Sequence, residues 1–184
     1  MTKNNSLGKR IFSIILTIAV ILSMMPTMVW ADGEENGVAK IGDTVYTTLP
    51  AAFEAAEDGD TVMLLADVEL AETLSIGIND KWASNFVLDL NGKKISCNNS
   101  YDATIFTSIT LTICDNSEKK NGEIVDSTDA EGKNSAIRAG QGATLKIIGG
   151  KFGKVSVIGG AEISGGTFSE IWAFDYSSSQ IGLY

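Results

Sequence analysis

The chain says nearly the same thing twice close to its C-terminal end: Ile148-Gly149-Gly150-Lys151-Phe152 returns sixteen positions later as Ser164-Gly165-Gly166-Thr167-Phe168. A Gly-Gly, one variable residue and a Phe at that spacing is too short a period for a domain and too long for a tight hairpin. Glycines let a chain turn corners closed to other residues, and a phenylalanine placed identically after each corner can fill space beside its neighbour's. The doublet therefore points to short strands stacked unit on unit.

Alternating apolar runs extend this reading along the body of the chain. Val62 to Leu65, Phe86 to Leu90, Thr110 to Ile113, Ala143 to Ile147, Val155 to Ile158 and Ala161 to Ile163 are separated by Gly, Asn, Asp and Ser, which is strand and turn patterning without a helical period. "VLDLNG", "LTICDN" and "LKIIGG" each present two apolar residues two apart before a turn, so Leu88, Leu111 and Leu145 are aligned as equivalents, at steps of 23 and 34. The longer step contains the polar insertion "DNSEKKNGEIVDSTDAEGKNS". Units of this length carrying short strands suggest a β-solenoid with ladders of apolar side chains inside. A barrel or sandwich is the competing arrangement.

One segment reads as helix. In "TTLPAAFEAAEDGD", Thr48 caps, Pro50 sits in the first turn and Asp58-Gly59 stops it, so a helix is expected from about Leu49 to Glu57. Leu49, Ala52, Phe53 and Ala56 share one face, suited to covering the apolar cross-section that a solenoid exposes at its end.

The first 31 residues have the order of a secretory signal: Lys3, Lys9 and Arg10, an apolar run from Ile11 to Met25, then Pro26 and Val29-Trp30-Ala31. Cleavage after Ala31 is expected. The apolar run is shorter than the roughly 20 residues of a membrane-spanning helix, so no stable membrane span is expected after cleavage. The expected division is thus residues 1–31 as signal peptide, 32–60 as an N-terminal strand and capping helix, and 61–184 as a parallel β-helix truncated at its C-terminus.

Removing the signal changes the charge balance. The whole chain carries 14 Lys+Arg against 23 Asp+Glu; the three basic residues of the signal leave 11 against 23, net −12. That balance argues against a nucleic-acid partner, which demands a basic face. There is no histidine, which removes Ser-His and Cys-His catalysis and histidine-ligated zinc. Cys97 and Cys114 are the two cysteines; an exported chain permits a disulfide, but both are read as free thiols, with Cys114 in or near the core.

Glycoside hydrolysis needs two carboxylates at a set separation, and eliminative cleavage needs a base beside carboxylates that hold Ca²⁺. The insertion supplies Asp115, Glu118, Glu123, Asp126 and Asp129, and Arg138 is the one arginine after the signal. Mixed with Lys119, Lys120 and Lys133, these carboxylates read as a solvated loop, and nothing matches a calcium loop. No catalytic residue, metal ligand or cofactor is assigned. Asp89 and Asn91 are expected to point outward or turn a corner. For contact with a glycan, Trp82 and Trp172 are the candidates to stack on sugar rings, although partial burial at a coil edge also suits them. Asp115, Asp126, Asp129 and Arg138 are the polar candidates.

"IGDTVYTTLPAAFEAAEDGDTVMLLADVELAETLSI", "FVLDLNGKKIS", "TLTICDNSEKKNGEI" and "ISGGTF", in that order, resemble the pectin-lyase-like right-handed parallel β-helix segments of surface proteins from Gram-positive gut anaerobes. The likeness covers residues 39 to 170. It implies a secreted or wall-associated structural or adhesive module without catalytic activity, with host or wall glycans or surface proteins as partners. Carbohydrate binding is the alternative, and a polysaccharide lyase or hydrolase a more distant one. A chain ending at an uncovered strand set implies end-to-end self-association.

Overall fold

The computed structural model describes residues 37–78, 85–98, 102–127, 134–174 and 181–183. The signal segment, Trp82 and Asp129 lie outside the described residues. Strands β1 (Ala39–Ile41) and β2 (Thr44–Tyr46) form a hairpin, followed by helix α1 (Leu49–Ala55). The chain then runs through short strands in a recurring order. β3 (Thr61–Leu64), β4 (Val68–Leu70) and β5 (Leu74–Ile76) are followed by β6 (Phe86–Asp89), β7 (Lys94–Cys97) and β8 (Ala103–Thr107), and these by β9 (Thr110–Cys114), β10 (Glu123–Ile124) and β11 (Ser135–Ala139). Next come β12 (Thr144–Ile147) with β13 (Lys151–Val157), β14 (Gly160–Ile163) with β15 (Thr167–Ala173), and β16 (Ile181–Leu183).

Pairing sorts these strands into three parallel ladders. Ladder one is β3-β6-β9-β12-β14-β16. Ladder two joins β4, β7, β10 and the first residues of β13, and ladder three joins β5, β8, β11 and the last residues of β13. From β13 onward one seven-residue strand serves both ladders, and β15 continues both from Phe152↔Phe168 to Val157↔Ala173. The protein is thus β-rich, with parallel sheets and one helix among the described residues. The N-terminal edge departs from the expected all-parallel order: β1 pairs antiparallel with both β2 and β3.

Strand alternation puts one apolar row per ladder into a common core. Val62, Leu88, Ile113, Ile147 and Ile163 are in register in ladder one. Val68, Ile95, Ile124 and Phe152 are in register in ladder two, and Leu74, Ile105, Ile137 and Val155 in ladder three. All are buried, and each such side chain contributes about 1.5–3 kcal/mol relative to exposure.

The register corrects one expected alignment. Leu111 does pair with Leu145, but Leu88 lies beside Ile113, and Leu111 beside Phe86. The step is 25 positions rather than 23. The two-residue slip leaves the same faces inside and brings Asp89 next to Cys114, where its carboxylate accepts from the Asn116 N–H at 3.0 Å. The insertion is also more than a solvated loop: Ile124 within it is fully buried in ladder two.

The helix and the glycine corners follow the sequence closely. The Thr48 hydroxyl accepts from the Ala51 N–H, Pro50 sits in the first turn, and Leu49, Ala52 and Phe53 are buried. α1 ends two residues earlier than expected, at Ala55. The Phe53 ring packs 4.7 Å from that of Phe86, so the helix covers the inward side of ladder one. In the glycine doublet the second glycine of each copy has a positive φ, +114° at Gly150 and +98° at Gly166, which a side chain rarely tolerates. At Gly165 a Cβ would meet the Ile148 carbonyl oxygen at 2.1 Å. These corners place Phe152 and Phe168 face to face, 5.3 Å apart and 15° from parallel.

Candidate functional site

Two groups of polar and aromatic side chains stand out, and they do different work. The first lies where the chain leaves ladder one. Asp115, only 3 % exposed, accepts from the Gly92 N–H at 2.9 Å and the Ser117 N–H at 3.1 Å through Oδ1, and from the Gly122 N–H at 2.7 Å through Oδ2. Burial pushes the carboxyl up, but the hydrogen bonds from Ser117, Gly122 and Gly92 outweigh it and hold the group below the usual 3.8. Asp89 does the same for the preceding turn, accepting from the Asn91 N–H at 3.0 Å and, at Oδ2, from Asn116 Nδ2 at 3.1 Å. Asp89 is buried and turns a corner, rather than pointing outward.

Cys114 sits between these carboxylates. Burial, then the negative charges of Asp89 and Asp115, push its thiol up to about 11. Cys97 and Cys114 are both free and buried. Every acceptor on the two aspartates thus serves the fold. Among the described residues no cluster of His, Cys, Asp or Glu is arranged to hold a metal ion.

The second group is the outward row of ladder three. Ser75, Phe106, Arg138, Ser156 and Trp172 occupy successive register positions on β5, β8, β11, β13 and β15; Ser156 is the buried member, its hydroxyl 2.9 Å from that of Ser135. Parallel strands stand about 4.8 Å apart, so the row runs roughly 19 Å across the strands. Arg138 forms an ion pair with Asp102. Trp172 is 45 % exposed, with Lys154 Nζ 5.1 Å from its ring centroid and the Phe174 ring edge-on at 6.1 Å. At the other end, Thr73, Ser75, Ile78, Asp102 and Phe106 line a shallow depression of about 300 Å³.

The sequence candidates divide between the two groups. Arg138 and Trp172 come together in the outward row, where Trp172, 45 % exposed on β15, is partly buried. Asp126 packs against β13: its Oδ1 accepts from the Lys154 N–H at 2.5 Å, and a Cβ on Gly153 would collide with it. Asp115 belongs to the corner and not to this row. Trp82 and Asp129 lie outside the described residues. Phe106, Ser156, Asp102 and Ile78 were not singled out from the sequence, since only the ladder register makes Phe106 and Ser156 neighbours of Arg138.

A second depression, of about 310 Å³, lies between the first turn of α1 and β4. Its carboxylates are already engaged, Asp67 with the Lys94 N–H at 2.9 Å and Glu69 with the Asn98 amide. No protein-family model, curated protein or solved structure matches the chain.

Proposed function

We propose that the chain is a right-handed parallel β-helix whose coils are the successive passes through the three ladders, exported by cleavage after Ala31. Outside the cell, free or associated with the wall, it serves as a structural or adhesive module without catalytic activity. The observation that carries this reading is the continuous register of the ladders, from Val62 to Ile163 in ladder one and from Leu74 to Val155 in ladder three. A body in which each coil rests only on its neighbours presents long, rigid faces, which is what a surface module needs. The acidic mature chain and the resemblance of residues 39 to 170 to surface β-helices support the same reading. A non-catalytic role accords with the commitment of Asp115 and Asp126 to backbone N–H groups.

The ends of the stack differ. α1 and the β1-β2 hairpin cover the N-terminal side, while Ile171 on β15, in register with buried Val155, is 37 % exposed. End-to-end self-association through β15 is part of this proposal. Carbohydrate binding is the second reading, favoured by the aromatic and polar outward row of ladder three.

Expression in a Gram-positive host, followed by fractionation and mass spectrometry, tests the reading. A mature chain beginning at Asp32 in the medium or wall fraction supports it. A chain that keeps Met1 and stays in the cytoplasm or membrane overturns it.

A further inference from the structure

We propose that the outward row of ladder three, from the depression at Ser75 to Trp172, is a binding face for a neutral, linear polysaccharide; the inference rests on the surface-module reading above. Three features of the face select that ligand. First, apolar surface and polar groups alternate along it. Ile78 (40 % exposed), Phe106 and Trp172 can lie against the C–H faces of pyranose rings, while Ser75 and the Arg138–Asp102 pair lie between or beside them. A sugar ring has the same mixed character, with apolar faces and an edge of hydroxyls that both donate and accept. An arginine beside a carboxylate offers donors and acceptors to such an edge.

Second, the face is periodic and stiff. Its side chains are carried on hydrogen-bonded parallel strands at one spacing, comparable with the rise of one unit in an extended sugar chain, so a chain can meet Ser75, Phe106, Arg138 and Trp172 without rearrangement while it crosses β13, where Ser156 is buried. The depression at one end and the indole at the other bracket a site of several sugar units. Lys154, which is largely buried, lies against the Trp172 ring, so the indole is braced rather than free to swing.

Third, charge selects against acidic glycans. Arg138 is neutralised by Asp102, Glu170 is in register with Lys154, and the mature chain carries a net −12. An anionic polymer would meet a repulsive field, and a neutral one would not.

The test is calorimetric titration of the mature protein with neutral hexasaccharides of the β-1,4-glucan, β-1,4-mannan and β-1,4-xylan types, with oligogalacturonate as the acidic counterpart. The same preparation is also tested for retention on intact Gram-positive cell walls. Binding of at least one neutral hexasaccharide in preference to oligogalacturonate is expected. Trp172→Ala and Phe106→Ser should each weaken it at least tenfold, and Trp172→Phe should restore most of it. Trp172→Ala should melt at the wild-type temperature, which separates a lost contact from a lost fold. No neutral hexasaccharide bound at millimolar concentration, preference for oligogalacturonate, or unchanged affinity in Trp172→Ala would each overturn the proposal. Retention on walls alongside such a failure leaves the surface-module reading standing, and that reading falls only if the fractionation experiment finds the chain with Met1 retained inside the cell.

Discussion

Replacing Asp115 by Asn tests whether this carboxylate is a structural staple. The carboxylate takes three backbone N–H groups from two successive turns, and asparagine has one acceptor oxygen. In the D115N variant that oxygen can keep Gly92 and Ser117, but the amide NH₂ then faces the buried Gly122 N–H, now 2.7 Å from Oδ2. Losing a hydrogen bond to a charged group costs about 1.5–3 kcal/mol, and leaving a buried donor unpaired costs about 1–3 kcal/mol, so a loss of about 2.5–6 kcal/mol is expected. Against a domain stability of about 5–15 kcal/mol, urea unfolding followed by circular dichroism resolves this easily. The pH dependence gives a second readout. Because the folded carboxyl titrates below 3.8, its contribution is complete above that value and is lost as pH falls through the lower folded value. D115N should therefore lack part of the wild-type decline in acid. A loss under about 1 kcal/mol with an unchanged acid limb would refute the reasoning.

Four further outcomes follow from the same geometry. Leu111→Ala, fully buried between Phe86 and Leu145, should cost about 2–5 kcal/mol in urea unfolding, while Ile148→Ala, at 57 % exposure, should stay within about 0.5 kcal/mol. Gly165→Ala should lower the melting temperature, because its Cβ would press on the Ile148 carbonyl oxygen at 2.1 Å, backbone that cannot swing aside. Phe53→Asp should destabilise the protein and promote aggregation by placing a charge against Phe86 and lifting α1 from the core, read by light scattering and melting temperature. Cys114, with its thiol pushed up to about 11, should resist maleimide at pH 8 in the folded protein and react in urea. The neutral thiol is favoured by folding, so this contribution is intact below the unfolded value of 9.0 and is lost as pH climbs toward 11.

Ladder one was legible because its strands alternate cleanly and, from β6 to β14, run into turns that contain Asn or Gly. Leu88, Leu111, Leu145 and their partners announce an inward face, and the helix announces itself through Thr48, Pro50 and the Phe53 stripe. Ladders two and three were legible only in β13 and β15, through the Gly-Gly-x-Phe doublet and the run from Val155. β10 offers one inward side chain, Ile124, within a run of charges, and β11 spells Ser-Ala-Ile-Arg-Ala, where burial comes from neighbours above and below rather than from hydrophobicity. A strand of two to five residues is stabilised by its register, which a linear pattern does not record. The 25-residue step could have been found by aligning Asn91 with Asn116 instead of leucine with leucine, since the turn sets the register.

The candidate site was legible only in its parts. Trp172 and Arg138 were named for their chemistry, yet 34 positions separate them, and only the register of β11 with β13 and of β13 with β15 sets them in one row. Asp115 and Asp89 look like solvated or catalytic carboxylates in sequence because nothing local reveals that their partners are backbone N–H groups of adjacent turns, such as Gly92 for Asp115 and Asn116 for Asp89.

The central claim is that successive passes stack as parallel coils. Cross-strand NOEs in the isotopically labelled mature protein test it most directly. The account predicts backbone contacts linking Leu111 with Leu145, Ile137 with Val155 and Phe152 with Phe168, in the evenly spaced pattern of parallel pairing. The close Hα–Hα contacts of antiparallel neighbours among β6, β9 and β12, or the absence of any contact between Phe152 and Phe168, would contradict it.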